Sequence, residues 1–142
     1  MYVKRWPMIV AAAAFLLVAM VGAAEDLTGS EKLICAGAQA TYCDTTGDCE
    51  IGMPWNWGMP HFVEIHLDDR MLRTTSAAES PRQTPIRTLE REDGEIYLQG
   101  VENGRAFSFV INEYSGVASI AIAADGLTVS VFGACTPMPA AR

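Results

Sequence analysis

Apolar and polar positions alternate through the second half of the chain. Ile96 and Leu98 share one face of a short segment; Phe107, Phe109 and Ile111 share a face of the next. Ile120 and Ile122 do so in a third, and Leu127, Val129 and Val131 in a fourth. Period-two alternation of this kind marks strands with one buried face. The segments are separated by Asp93-Gly94, Asn103-Gly104, Ser115-Gly116 and Asp125-Gly126, turn dipeptides that recur every 10 to 12 residues. Asn-Gly and Asp-Gly supply the positive φ angles that tight hairpins need. A four-stranded antiparallel meander is therefore predicted from about Glu95 to Ala134.

Upstream the signal is shorter but of the same kind. Val63, Ile65 and Leu67 alternate with Glu64 and His66, which predicts another strand. Asp68-Asp69 turns the chain into a short strand near Met71 to Thr75. Ser76 to Pro85 reads as a polar, proline-containing loop, and Pro85 to Arg91 as one more strand. Leu33 to Cys43 is ambiguous: its alanines permit a helix, whereas Thr41, Tyr42 and the flanking cysteines favour a strand. The strand reading is preferred. The sum is about seven or eight short strands, the pattern of an all-β fold, a small antiparallel barrel or sandwich.

The first residues follow a different rule. Lys4 and Arg5 precede a charge-free run from Trp6 to Ala24, whose densest apolar stretch, Met8 to Val21, is 14 residues long. Gly22-Ala23-Ala24 then offers small residues before Glu25. A charged start, a short apolar run and a small-residue exit describe a signal peptide over residues 1–24, cleaved after Ala23 or Ala24. The alternative is an uncut anchor, since a spanning helix needs about 20 apolar residues and this run has 19. Seven of those are alanine, and the run ends in a peptidase-type site. Cleavage is the preferred reading. Both readings keep Lys4 and Arg5 inside and deliver residues 25–142 outside the cytoplasm as one domain. A periplasmic or secreted location in a Gram-negative bacterium is expected, with no stable membrane insertion after cleavage.

Export changes the meaning of the cysteines. Cys35, Cys43, Cys49 and Cys135 are an even number in a chain bound for an oxidising compartment, where disulfides are the default. Three pairings are possible. The favoured one joins Cys43 to Cys49 across a turn containing Gly47, and Cys35 to Cys135 between the start and end of the domain. The spacing lacks the close ligand pairs of structural zinc and contains no Cys-x-x-Cys redox pair.

Charge narrows the partners. Without Lys4 and Arg5, 8 basic residues face 17 acidic ones, a formal charge of −9. Such a surface repels nucleic acid. A cationic partner remains compatible with it.

Candidate chemistry concentrates in Gly52-Met53-Pro54-Trp55-Asn56-Trp57-Gly58-Met59-Pro60-His61. Two indoles in a Pro/Gly loop predict a partner-binding surface at Trp55 and Trp57. Thioethers are soft ligands suited to Cu(I), and a Trp face attracts cations. Met53, Met59 and His61 are thus candidate Cu(I) or Ag(I) ligands. Capping of the core by the same side chains is the competing reading. His66 and Glu64 share a strand face like a catalytic pair, but solvation of that face is the simpler expectation. Ser108 and Ser119 lack a nucleophile elbow. Asp44, Gly47 and Asp48 hint at a calcium loop, yet their spacing departs from the EF-hand pattern. No catalytic set and no cofactor are expected.

Three segments carry a resemblance: Cys43-x5-Cys49, Leu98-Gln99-Gly100-Val101-x-Asn103-Gly104-Arg105 and Phe132-Gly133-Ala134-Cys135-Thr136. They resemble a group of small exported proteobacterial proteins that end in an FGACT-like motif. The resemblance runs from about Cys35 to Thr136 and implies export and a β fold, with no activity attached. A looser architectural likeness is to the periplasmic inhibitors of C-type lysozyme, small β-barrels with early and late cysteines. Three functions stand as expectations. The leading one is a non-enzymatic domain binding an envelope protein, such as a lysozyme-type hydrolase, or a small ligand. The others are a periplasmic Cu(I)/Ag(I) binder and an envelope structural factor.

Overall fold

The computed structural model describes residues 26–139. The expected signal segment lies outside the described residues. Among the described residues the chain forms ten strands: β1 (Lys32–Asp44), β2 (Cys49–Gly52), β3 (Phe62–His66), β4 (Met71–Thr74), β5 (Gln83–Pro85), β6 (Thr88–Glu92), β7 (Glu95–Glu102), β8 (Arg105–Asn112), β9 (Val117–Ala124) and β10 (Leu127–Pro137). All pair antiparallel in one sheet of order β5-β4-β3-β1-β10-β9-β8-β7-β6, with β2 added to β1. The fold is all-β and barrel-like, as predicted.

The meander spans β7 to β10 and its turns follow from sequence. Asp93-Gly94 and Asn103-Gly104 hold positive φ at both residues, 52° and 80°, then 48° and 75°. Those are the angles of the type I′ turns that match strand twist. Ile96, Leu98, Phe107, Phe109 and Ile111 point inward and are buried together with Leu33, Ile65, Leu72 and Ile86. Ile120 and Ile122 are half-buried and bridge this core to a second, smaller cluster of Ala40, Val129 and Val131.

Three features differ from expectation. Strand β2, four residues long, folds back on β1 through Cys43↔Cys49 to Ala40↔Gly52. Strand β5 forms in what reads as a loop, because Gln83–Pro85 pair with Met71–Arg73 of β4. The third feature is a register shift in β1 between Gly37 and Gln39 opposite β10. The extra residue moves later side chains to the opposite face. Leu33 and Cys35 therefore point inward by odd number, and Ala40 by even number.

The ends of the sheet meet along one segment. β5 pairs with β4 and β6 pairs with β7. Between them the Ile86 amide donates to Arg70 O (2.9 Å) and the Arg87 amide to Gln99 O (2.8 Å). Residues 83–92 thus touch both edges and curl the sheet around its core.

Both disulfides join directly opposed residues. Cys35–Cys135 links β1 to β10 inside the core, and Cys43–Cys49 links β1 to β2 on the outside. The favoured pairing is the one observed. Two disulfides accord with an oxidising, extracytoplasmic compartment.

Candidate functional site

The chain leaves the sheet at Gly52 and rejoins it at Phe62. Between them a single 3₁₀ turn, Pro54–Trp57, begins at Met53 and ends at Gly58. Proline suits the first position of such a turn, where no backbone donor is needed. Gly58 closes it at φ 72°, a left-handed angle that glycine adopts without strain. The Pro54 ring is buried against Gly37, whose missing Cβ leaves room for it. Trp57 lies over Gly52 and stacks on Tyr42 of β1, with centroids 5.8 Å apart and planes 8° from parallel. Trp55 turns outward, 42% exposed, and stacks on His61 at 4.5 Å.

The expected site residues separate accordingly. Trp57 is half-buried and works largely as a brace, whereas Trp55 is presented to solvent. Met59 packs on the second apolar cluster, and Met53 is exposed at the start of the turn. His61 is exposed and joined to Trp55 by the stack. Sequence reasoning missed two apolar neighbours. Ile51, 70% exposed, opposes Thr41 on the outer face of β2, and Phe62, also exposed, opposes Ala36 on β3. Phe132 stands exposed on β10, two strands from Phe62 in sheet order. Odd–even alternation outside the core carried that signal.

The loop also walls a half-open pocket. Pro54, Gly58, Met59 and Pro60 form one side of a space of about 130 Å³. An engineered apolar cavity of roughly 150 Å³ holds benzene. The floor is apolar, with Phe107, Phe109 and Ile120 among its residues. At the mouth, inward-facing positions turn polar. Thr84 donates to Glu102 (2.8 Å), and Arg82 reaches the same carboxylate at 3.8 Å. Arg105 lies at this mouth without an ion pair among the described residues.

His66 is not solvated, contrary to expectation: only 7% of it is exposed. Its Nε2 lies 3.1 Å from Glu64 Oε2. Leu67 and Asp68 turn the chain tightly just beyond it, and Arg73 lies beside Glu64 in register. Ser119 and Ser108 sit on β9 and β8, separated from β3 in sheet order by β1 and β10. The structure therefore brings neither serine beside this histidine. The acidic turn after β1 satisfies itself. Asp44 Oδ1 accepts from the Thr46 amide (2.8 Å) and hydroxyl, and that hydroxyl also reaches Asp48 Oδ2. These bonds, the hydroxyl's foremost, hold the Asp44 carboxyl below the ordinary range. Compared with protein-family models and with curated proteins, the chain matches none.

Proposed function

We propose that this chain is a non-enzymatic, exported β-domain of the cell envelope that binds a protein partner through the loop between β2 and β3. The observation that carries the reading is the exposure of Met53 and Trp55 on one braced connection, and of Ile51 and Phe62 on the strands that flank it. Exposed apolar side chains gathered on one segment are candidates for an interaction surface, and Trp is enriched where binding energy concentrates. The Cys43–Cys49 disulfide, the buried Pro54 ring and the Trp57–Tyr42 stack fix the loop before binding. A surface ordered in advance loses less entropy on association.

The partner class proposed is a basic hydrolase of the lysozyme type, because a domain of formal charge −9 attracts cationic proteins. The purified domain is mixed with C-type and G-type lysozymes at low salt and lysis is followed. Inhibition at micromolar excess is expected, weakened at least tenfold by Trp55→Ala. Unchanged lysis with both enzymes sinks the lysozyme assignment.

A second reading concerns the pocket behind the loop. Its apolar floor beneath Arg105 suits a small amphipathic anion, such as a medium-chain carboxylate. Octanoate titrated calorimetrically is expected to bind, and Arg105→Glu to weaken it. No heat at millimolar octanoate eliminates this reading.

A further inference from the structure

We propose that His66, Asp68 and Asp69 form a binding site for a divalent first-row transition-metal ion, with Glu64 holding the imidazole in place. The site lies on the outer face of β3 and its turn, away from the apolar loop. One ring nitrogen of His66 and one carboxylate oxygen from each aspartate lie within 4.8 Å of one another. Nitrogen and oxygen ligands sit about 2.0–2.2 Å from such an ion, hence roughly 3–4 Å from each other. Closing that difference takes rotation of the two exposed aspartates, of which Asp68 Oδ1 accepts from the Asp69 amide (3.0 Å).

The second observation comes from the histidine itself. His66 is over nine-tenths buried, and its Nδ1 has no hydrogen-bond partner. A buried polar atom left unpaired requires an explanation. Nε2 faces the carboxylate of Glu64, which only accepts, so Nε2 carries the proton. Nδ1 then holds a free lone pair. A metal-binding imidazole characteristically donates its other N–H to a carboxylate, which fixes the ring and raises its basicity. Glu64 and His66 reproduce that relation.

The ligands stand on rigid backbone. His66 pairs with Lys32 of β1 and with Met71 of β4. The turn beyond it is tied by the Arg70 amide donating to Leu67 O and the Leu67 amide donating to Glu31 O. Two cations share the neighbourhood: Lys32 approaches Asp68 at 3.8 Å, and Arg73 donates to Asp69 Oδ2 at 3.0 Å. Lys32 is half-exposed and at the outer limit of an ion pair, and Arg73 occupies one oxygen of Asp69. Glu64 adds a third carboxylate beside the two that these cations approach. The nitrogen donor selects Zn²⁺-like ions over Ca²⁺ or Mg²⁺, which prefer all-oxygen shells.

The test is calorimetric titration of Zn²⁺ into tag-free, disulfide-intact protein stripped with EDTA and dialysed. One ion per chain at micromolar or tighter affinity is expected. Asp68→Asn and Asp69→Asn each weaken it at least tenfold, and Glu64→Gln weakens it about 10- to 100-fold. His61→Ala leaves it unchanged. Because the aspartates are exposed, their variants keep the fold, which circular dichroism verifies. Absence of binding at millimolar Zn²⁺ overturns the proposal. So does binding indifferent to the aspartate substitutions, or binding lost with His61→Ala. None of these outcomes bears on the lysozyme assay.

Discussion

Gly133 lies where β10 passes closest to β1. A Cβ there would collide with the Ala36 carbonyl oxygen and crowd Gly37 Cα, beside the register shift of β1. Neither backbone can retreat without breaking the pairing that flanks it. Gly133→Ala is expected to destabilise the domain by about 1–3 kcal/mol, the usual range for overpacking, read as a lower urea midpoint. Asp44 offers a milder test. Its carboxyl is held below the ordinary value of 3.8 by the Thr46 hydroxyl and amide. A depressed folded value contributes stability that is present above the unfolded value and lost as pH falls through the folded one. An NMR titration should place the Asp44 midpoint below 3.8, and Thr46→Ala should raise it. At this scale the sequence was partly legible. Strand alternation placed Glu64 and His66 on one face correctly. It did not foresee that His66 is buried there, because burial is set by neighbours from other elements that the local alternation does not name.

The β7–β10 meander was readable because each element is long enough to show period two and is closed by a dipeptide with its own φ requirement. Strands β2 and β5 were not, since four and three residues are too few to alternate visibly. Their identity comes from a neighbour: β2 from the Cys43–Cys49 turn, β5 from the exposed edge of β4. The shift in β1 was hidden for another reason. Cys35 and Cys43 share parity in sequence yet face opposite sides of the sheet. The two disulfides consequently act at different depths. Replacing Cys35 and Cys135 by Ala removes a cross-link of separation 100 from the core, and replacing Cys43 and Cys49 removes one of separation 6 from the surface. The chain-entropy model assigns roughly 4.7 kcal/mol to the long loop and about 2 kcal/mol to the short one. Differential scanning calorimetry is expected to show the larger loss for the long-range pair. The short-range pair should chiefly affect the loop after Gly52, seen as faster amide exchange at Trp55 to Met59.

At the scale of the molecule, the aromatic loop was visible from composition alone, but its connection to a half-open pocket was not. The pocket arises from closure, which brings Arg82, Thr84, Glu102 and Arg105 from three strands and their flanks to one mouth. Thr84 is buried and bonded to Glu102 across that seam. Thr84→Val leaves the carboxylate short of a donor and is expected to cost about 1–3 kcal/mol, with faster exchange at the Arg87 amide. The placement of β1 between β3 and β10 has a consequence of a different order. A chain that emerges N-terminus first presents β1 long before β10 exists, so one edge of the central strand waits for nearly the whole domain. Folding must be completed from a finished polypeptide, on the slow timescale of non-local pairing. Meanwhile the Cys35 thiol emerges beside Cys43 and Cys49, its two wrong partners, with its native partner about a hundred residues behind. Biogenesis of this protein in an oxidising compartment therefore depends on thiol–disulfide exchange that can undo early errors.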